Sequence, residues 1–223
     1  MTFDRMIALD FETTGLNPGY RPLEIAWVEF DSNFNVVEQV NSLINPHIPI
    51  ESGAQRTHGI SAEMLVNEPS LDDFLKKTHV GKFANEHVLV VAHNASYDVP
   101  MFLPYCKKIT ALCTMRLGQT LYPDAKNHTL QTLSTMLNVE VEPTHRALDD
   151  ALTSFHLMKN IATEHGMSID EMLTLIQSAS LNSLMPFGKH KGTKLKDLPS
   201  DYVRWLTENL DPGGWIVEAL LGR

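Results

Sequence analysis

The stretch IALDFETTG, residues 7–15, decides the fold. Ile7, Ala8 and Leu9 run into Asp10 as the end of a buried strand would, and Glu12 adds a second carboxylate two positions on. Residues i and i+2 of a strand project from one face, with Cα atoms roughly 6.6 Å apart. Asp10 and Glu12 therefore point the same way at a strand end. At or inside that spacing their repulsion is on the order of 3–4 kcal/mol for an effective dielectric near 20. Something positive has to stand between them.

Around this stretch, apolar-rich runs at 6–11, 23–30 and 36–44 are separated by Gly, Pro, Asn and Asp punctuation. They predict three consecutive strands with connections short enough for an antiparallel meander. After a proline-containing loop, 61–67 and 71–77 predict helices, and VLVVA at 88–92 has the continuous apolar character of a central strand. Alternation then sets in, with a helix over 95–105, a strand over 111–114, a helix over 129–137 and a long helix over 146–163. In the last, Leu148, Ala151, Leu152, Phe155 and Met158 fall at helical spacing. The fold class is α/β, a mixed sheet with helices packed on it.

Ser168 and Glu171 fit a capping box opening a helix over 169–178, and the small, polar stretch 179–184 reads as a linker. The tail has its own helix signals: Pro199 before DYVRWLTEN, and Asp211-Pro212 as N-cap and first helical residue before WIVEALL. The expected organisation is one domain over 1–178 and a small C-terminal helical module over 184–223.

No apolar run approaches the roughly 20 residues of a membrane span. The opening MTFDRM puts Asp4 and Arg5 where a signal peptide needs an apolar core, which predicts a cytoplasmic protein without membrane association. The two cysteines, Cys106 and Cys113, form no CxxC pattern and exclude a disulfide scaffold. The net charge of −9 argues against a bare polyanion binder, but it is uneven. Residues 1–183 hold 12 Lys+Arg against 22 Asp+Glu, whereas 184–223 hold 6 against 5. Within MPFGKHKGTKLK, 185–196, there are four lysines and no acid. Lys189, Lys191, Lys194 and Lys196 interleave with Phe187 and Gly188, and Trp205 and Trp215 follow, which predicts a module gripping a nucleic-acid backbone or a partner.

Further acids stand where elements meet loops. Asp98 lies in VVAHNASYD just past the 88–92 strand, and His145 in THRALDDA precedes Asp149 and Asp150 near the start of the long helix. The helical pattern does not choose between those two acids. Four carboxylates and one histidine suit two hard divalent cations, Mg²⁺ or Mn²⁺, which take carboxylate and water oxygens and leave positions open for phosphate. Two such ions would bring the working charge from −9 to about −5.

In that order, DFETTG, VAHNASYD and HRALDD resemble the three motifs of the DEDDh 3′→5′ exonuclease superfamily, over roughly the first 165 residues. The resemblance implies a ribonuclease H-like fold. It assigns Asp10 and Glu12 to the first motif, Asp98 to the second, and His145 and Asp150 to the third, the last by the superfamily spacing His-x4-Asp. It further implies that Asp10, Glu12, Asp98 and Asp150 hold two Mg²⁺ or Mn²⁺, with His145 as general base and 5′-mononucleotides as products. Thr13, Thr14, Gly15 and Leu16 are similar to the stretch that meets the terminal nucleotide in relatives, and His58 and Asn94 to substrate-side positions. His93, beside Asn94, reads as supporting the site rather than acting in it.

The implied partners are DNA 3′ ends, single-stranded or duplex, with a place in DNA repair. RNA 3′ ends are the alternative substrate. A proofreading-type subunit bound to a polymerase or repair partner is a further alternative, and a homodimer is allowed. The tail, together with CTMRLGQTLYP after the second motif, resembles one bacterial member of the superfamily and extends the similarity over nearly the whole chain.

Overall fold

The computed structural model describes residues 1–17, 19–78, 83–210 and 215–221. Strands β1 (Arg5–Thr13), β2 (Pro22–Phe30) and β3 (Val36–Leu43) form the expected antiparallel meander. Strands β4 (His87–Ala92) and β5 (Lys108–Cys113) join parallel on the other side of β1, so the order is β3-β2-β1-β4-β5. This mixed five-strand sheet with flanking helices is a ribonuclease H-like fold.

The helices are α1 (Ser52–His58), α2 (Ala62–Leu65), α3 (Leu71–Asp73, continuing as a π-helical turn Phe74–Thr78), α4 (Ala95–Phe102), α5 (Thr114–Leu121), α6 (Leu130–Met136), α7 (Ala147–His165), α8 (Ile169–Asn182), α9 (Ser200–Asn209) and α10 (Trp215–Leu221). Among the described residues, no helix is long and apolar enough to cross a membrane.

Alternation along β1 sets the layers. Ile7, Leu9 and Phe11 face a core shared with Trp27, Val90 and Phe102 on the α4 side. Ala8 faces the opposite core, where Val28, Leu89 and Val91 meet Ala151, Phe155, Met158 and Ile161 of α7. Asp10 and Glu12, following Ala8 at two-residue intervals, project on the α7 side. The period of the strand thus directs both acids toward the N-terminal end of the long helix.

Two helices depart from the expected pattern. Residues 52–58 form α1, whose only buried member is His58, so no apolar stripe announces it. Residues 114–121 form α5 despite Gly118, because Leu133 of α6 packs where a Cβ would stand: an added Cβ would lie 2.4 Å from its Cδ1. The strand expected at 111–114 begins at Lys108 and ends at Cys113. The expected linker at 179–184 is largely helical, since α8 runs on to Asn182. Its small residues are compatible with a helix, and the end is held by Asn182 Nδ2 donating to Ser178 O (2.9 Å) and Ser183 Oγ to Ala179 O (3.2 Å).

Beyond α8, Met185, Leu195, Leu198, Leu206, Ile216, Ala219 and Leu220 form a core of their own. The expected helix start at Asp211-Pro212 lies outside the described residues, as does the side chain of Trp215.

Candidate active site

Antiparallel register pairs Glu12 with Glu24 and Asp10 with Ala26. Glu24 is fully buried, and its carboxylate accepts from Arg146 Nε (3.0 Å), Arg146 Nη2 (2.6 Å) and the Ala147 backbone N–H (3.0 Å). The first turn of α7 is thereby fixed against β2. His145, one residue before Arg146, has a left-handed backbone with φ 58°. That conformation costs a non-glycine residue about 1–2 kcal/mol. It is held from both sides: the Thr144 N–H donates to Asp150 Oδ1 (2.9 Å), and the Ala147 N–H to Glu24.

The result is a close cluster. Ligand atoms of Glu12, His145 and Asp150 all lie within 4.8 Å of one another, with His145 exposed and Asp150 buried. Asp149 turns away to accept from the Thr144 hydroxyl (2.6 Å). Asp98, buried in the first turn of α4, accepts from the Phe11 backbone N–H (3.2 Å), which lies between Asp10 and Glu12 in the chain. Four acids from β1, α4 and α7 therefore converge at one end of the sheet.

Their protonation records that crowding. Burial, followed by the charges of Asp98, Asp150 and Glu12, pushes the Asp10 carboxyl well above the carboxylate range. Asp98 is pushed up in the same way, chiefly by burial and against the Phe11 hydrogen bond, and Asp150 is raised by burial. Glu12 is pushed up to about 7 by burial, Asp150 and Glu24, with Arg146 opposing. Arg146 is already committed to Glu24, so the site is short of positive charge. An all-carboxylate oxygen set beside one imidazole suits hard divalent cations, and the residues present fit that group.

The other expected positions fall around this end of the sheet. Thr13 and Thr14 are buried and internally bonded: the Thr13 hydroxyl donates to Gly15 O (3.0 Å) and meets the Tyr97 hydroxyl (2.6 Å), while Thr14 Oγ1 accepts from the Arg21 N–H (3.0 Å). Gly15 sits against Glu51, and a Cβ there would lie 2.2 Å from its carboxyl carbon. Leu16 stands out, 83% exposed. Asn94 is exposed in a left-handed conformation that opens α4.

His58 is buried. Its Nδ1 accepts from the Ile60 N–H (3.0 Å), so Nε2 carries the proton. Burial lowers its pKa against a backbone hydrogen bond with Thr13, and Glu24, Arg146 and His145 are the charged groups it feels. His93 is tied to the Thr114 hydroxyl and to His128 O, both at 2.9 Å, and burial pushes it down to about 4, which leaves it neutral and structural.

Glu24 and Arg146 were not legible as site residues from spacing. The available signal was an acid inside the apolar run 23–30, which needs a buried cation, and the arginine beside the motif histidine.

A ribonuclease H-like sheet with carboxylates gathered from the first strand, the second-motif helix and the long helix defines a 3′→5′ exonuclease of the DnaQ type. The model of the exonuclease family RNase_T matches residues 7–158, and the chain belongs to that family. It is 31% identical over 210 residues to Exodeoxyribonuclease 10 of Escherichia coli strain K12, covering 91% of this chain and 90% of that one. It is 36% identical over 152 residues to a PolC-type DNA polymerase III of Caldanaerobacter subterraneus, of which those residues make up 11%. Among solved structures, Exonuclease X in complex with 5′ overhanging duplex DNA matches with a TM-score of 0.62 and 29% identity, covering 77% of this chain and 99% of that one. A second family model, described as "Putative quorum-sensing-regulated virulence factor", matches residues 171–221.

Proposed function

We propose that this protein is a 3′→5′ exodeoxyribonuclease that removes 5′-mononucleotides from DNA 3′ ends in the cytoplasm, in the service of DNA repair. Its catalytic domain spans 1–178, with 184–223 as an accessory module. The observation that carries the reading is the meeting of Glu12, His145 and Asp150 within 4.8 Å, with Asp98 bonded to the backbone between the two β1 acids. Asp10, Glu12, Asp98 and Asp150 would hold two Mg²⁺ or Mn²⁺. When bound, these ions neutralise the acids and polarise the scissile phosphate.

His145 does the proton chemistry. Exposed beside Glu12 and Asp150, its imidazole accepts a proton from the attacking water. On the substrate side, Leu16 projects far enough to meet the terminal base, with Thr13, Thr14 and Gly15 forming the frame beneath it. Asn94, exposed at the start of α4, is available to the nucleotide. The two free cysteines, Cys106 and Cys113, accord with a reducing compartment.

The test incubates the purified chain with labelled single-stranded DNA, duplex DNA and RNA, with and without Mg²⁺, beside an Asp10→Ala control. Mononucleotide release from DNA 3′ ends that needs Mg²⁺ and is abolished in the control is the expected result. Faster release from RNA would replace the substrate class, and equal activity in the control would remove the site.

A further inference from the structure

The tail module exposes an aromatic stack beside a basic loop. Its loop is a pinned hairpin: Leu184 bridges Lys194, the Met185 N–H donates to Thr193 O (2.8 Å) and the Gly192 N–H to Met185 O (2.8 Å). Gly188, with φ 73°, lets the loop lie on α9, because a Cβ there would stand 2.6 Å from the Tyr202 hydroxyl. His190 then meets Tyr202, with ring centroids 4.5 Å apart, and Tyr202 stacks on Trp205 at 5.7 Å with an interplanar angle of 17°. The series ends on a Trp205 ring that is 49% exposed, although the module has a core to bury it in.

Lys189 and Lys191 flank His190 and are exposed, as are Lys194, Lys196 and Arg204. None of the ion pairs among the described residues engages them. Asp201 and Glu208 share α9 with Trp205, so the positive side of this surface is the loop.

We infer that this surface binds a single-stranded nucleic acid, stacking a base on Trp205 while the loop lysines take its phosphates. The choice of ligand rests on the exonuclease reading of the active site. A planar ring with one open face accepts any base, and exposed ammonium groups beside it match a polyphosphate backbone. A protein partner would gain little from lysines, which interface cores exclude. The active site would thus hold the 3′ end while the module holds a strand elsewhere.

The test measures binding of the full chain to a fluorescein-labelled oligothymidylate in EDTA, across a salt series. It compares the parent with Trp205→Ala and with a combined Lys189→Gln/Lys191→Gln variant. Hydrolysis of thymidine 5′-p-nitrophenyl phosphate with Mg²⁺ reports on the active site alone. Both changes lie outside the module's core, and a circular dichroism spectrum and Tm like the parent's are required of each variant. Trp205→Ala should weaken binding roughly tenfold. The lysine variant should flatten the salt dependence by about 0.7 in log–log slope for each phosphate that it no longer neutralises. Ester hydrolysis should be unchanged in both.

Parent-like binding by both variants overturns the inference. So does a duplex that competes as well as the single strand, or a co-purifying protein lost on Trp205→Ala while oligonucleotide affinity stays intact. A parent that binds the oligonucleotide through these residues yet hydrolyses no ester leaves this inference standing and removes the catalytic one.

Discussion

At the residue scale the question is why a histidine sits at the mouth of a cluster of acids. His145 is exposed and turned outward by its left-handed backbone, whereas Asp150, five positions on, points inward from the first turn of α7. The same turn thus delivers one group to water and one to the buried acids. If His145 is the base, His145→Ala should lower turnover roughly 10²–10⁴-fold, the range for a positioned general base. DNA affinity should stay near the parent's, because the acids and the tail are untouched. Single-turnover hydrolysis alongside equilibrium binding checks this, and full turnover in the variant would take His145 out of the mechanism. Asp149 and Asp150 illustrate what adjacency conceals. Both begin the helix, yet one accepts from the Thr144 hydroxyl and the other from its backbone N–H while facing Glu12. No periodicity rule separates two consecutive helical residues by role, and the geometry of the preceding turn does.

At the scale of elements, the site depends on a latch between β2 and α7. The Glu24 carboxylate is wholly removed from water, while the Arg146 side chain is 40% exposed. Removing Arg146 would leave a buried charge with the Ala147 N–H as its remaining bond. Arg146→Ala should therefore destabilise by about 3 kcal/mol, at the low end for a broken buried pair because the arginine is part-solvated. That corresponds to a Tm lower by roughly 6–12 °C in a chain of this size. Glu24→Gln/Arg146→Met, which removes both charges, should recover part of the loss, and thermal denaturation of the set tests the coupling. A single variant as stable as the parent would mean that α7 is held by its apolar face alone. The strands and α7 were legible because their apolar residues repeat at two and at 3.6. Helix α1 was not, being exposed on nearly every face, nor was α5, whose Gly118 is explained only by Leu133 from another element. Elements that bury a stripe announce themselves, and those placed by a neighbour do not.

For the whole molecule, the gathered acids are a stability statement. Asp10, Glu12, Asp98 and Asp150 are all raised in the fold, so the folded chain holds protons that the unfolded chain releases. A raised acid contributes its full stability below its unfolded value and loses it as pH climbs through the folded one. For Glu12 this window runs from its ordinary 4.5 to about 7. Buried histidines act the other way: His93, lowered from 6.5 to about 4, adds stability as pH rises to 6.5 and nothing more above it. The two trends oppose each other in mild acid, and above pH 6.5 the change that follows is the loss of the Glu12 proton. In EDTA, Tm should therefore fall by about 1–3 °C between about pH 6.5 and pH 7.5, the upper end of the Glu12 window. Mg²⁺ should reverse the fall, and by more at the upper pH, because cations compete with protons for the same oxygens. Glu12→Gln should flatten the metal-free curve. A metal-free Tm that rises across that interval, or a Mg²⁺ effect independent of pH, would mean that these carboxylates are not gathered in one pocket, and the arrangement on which the nuclease reading depends would be lost.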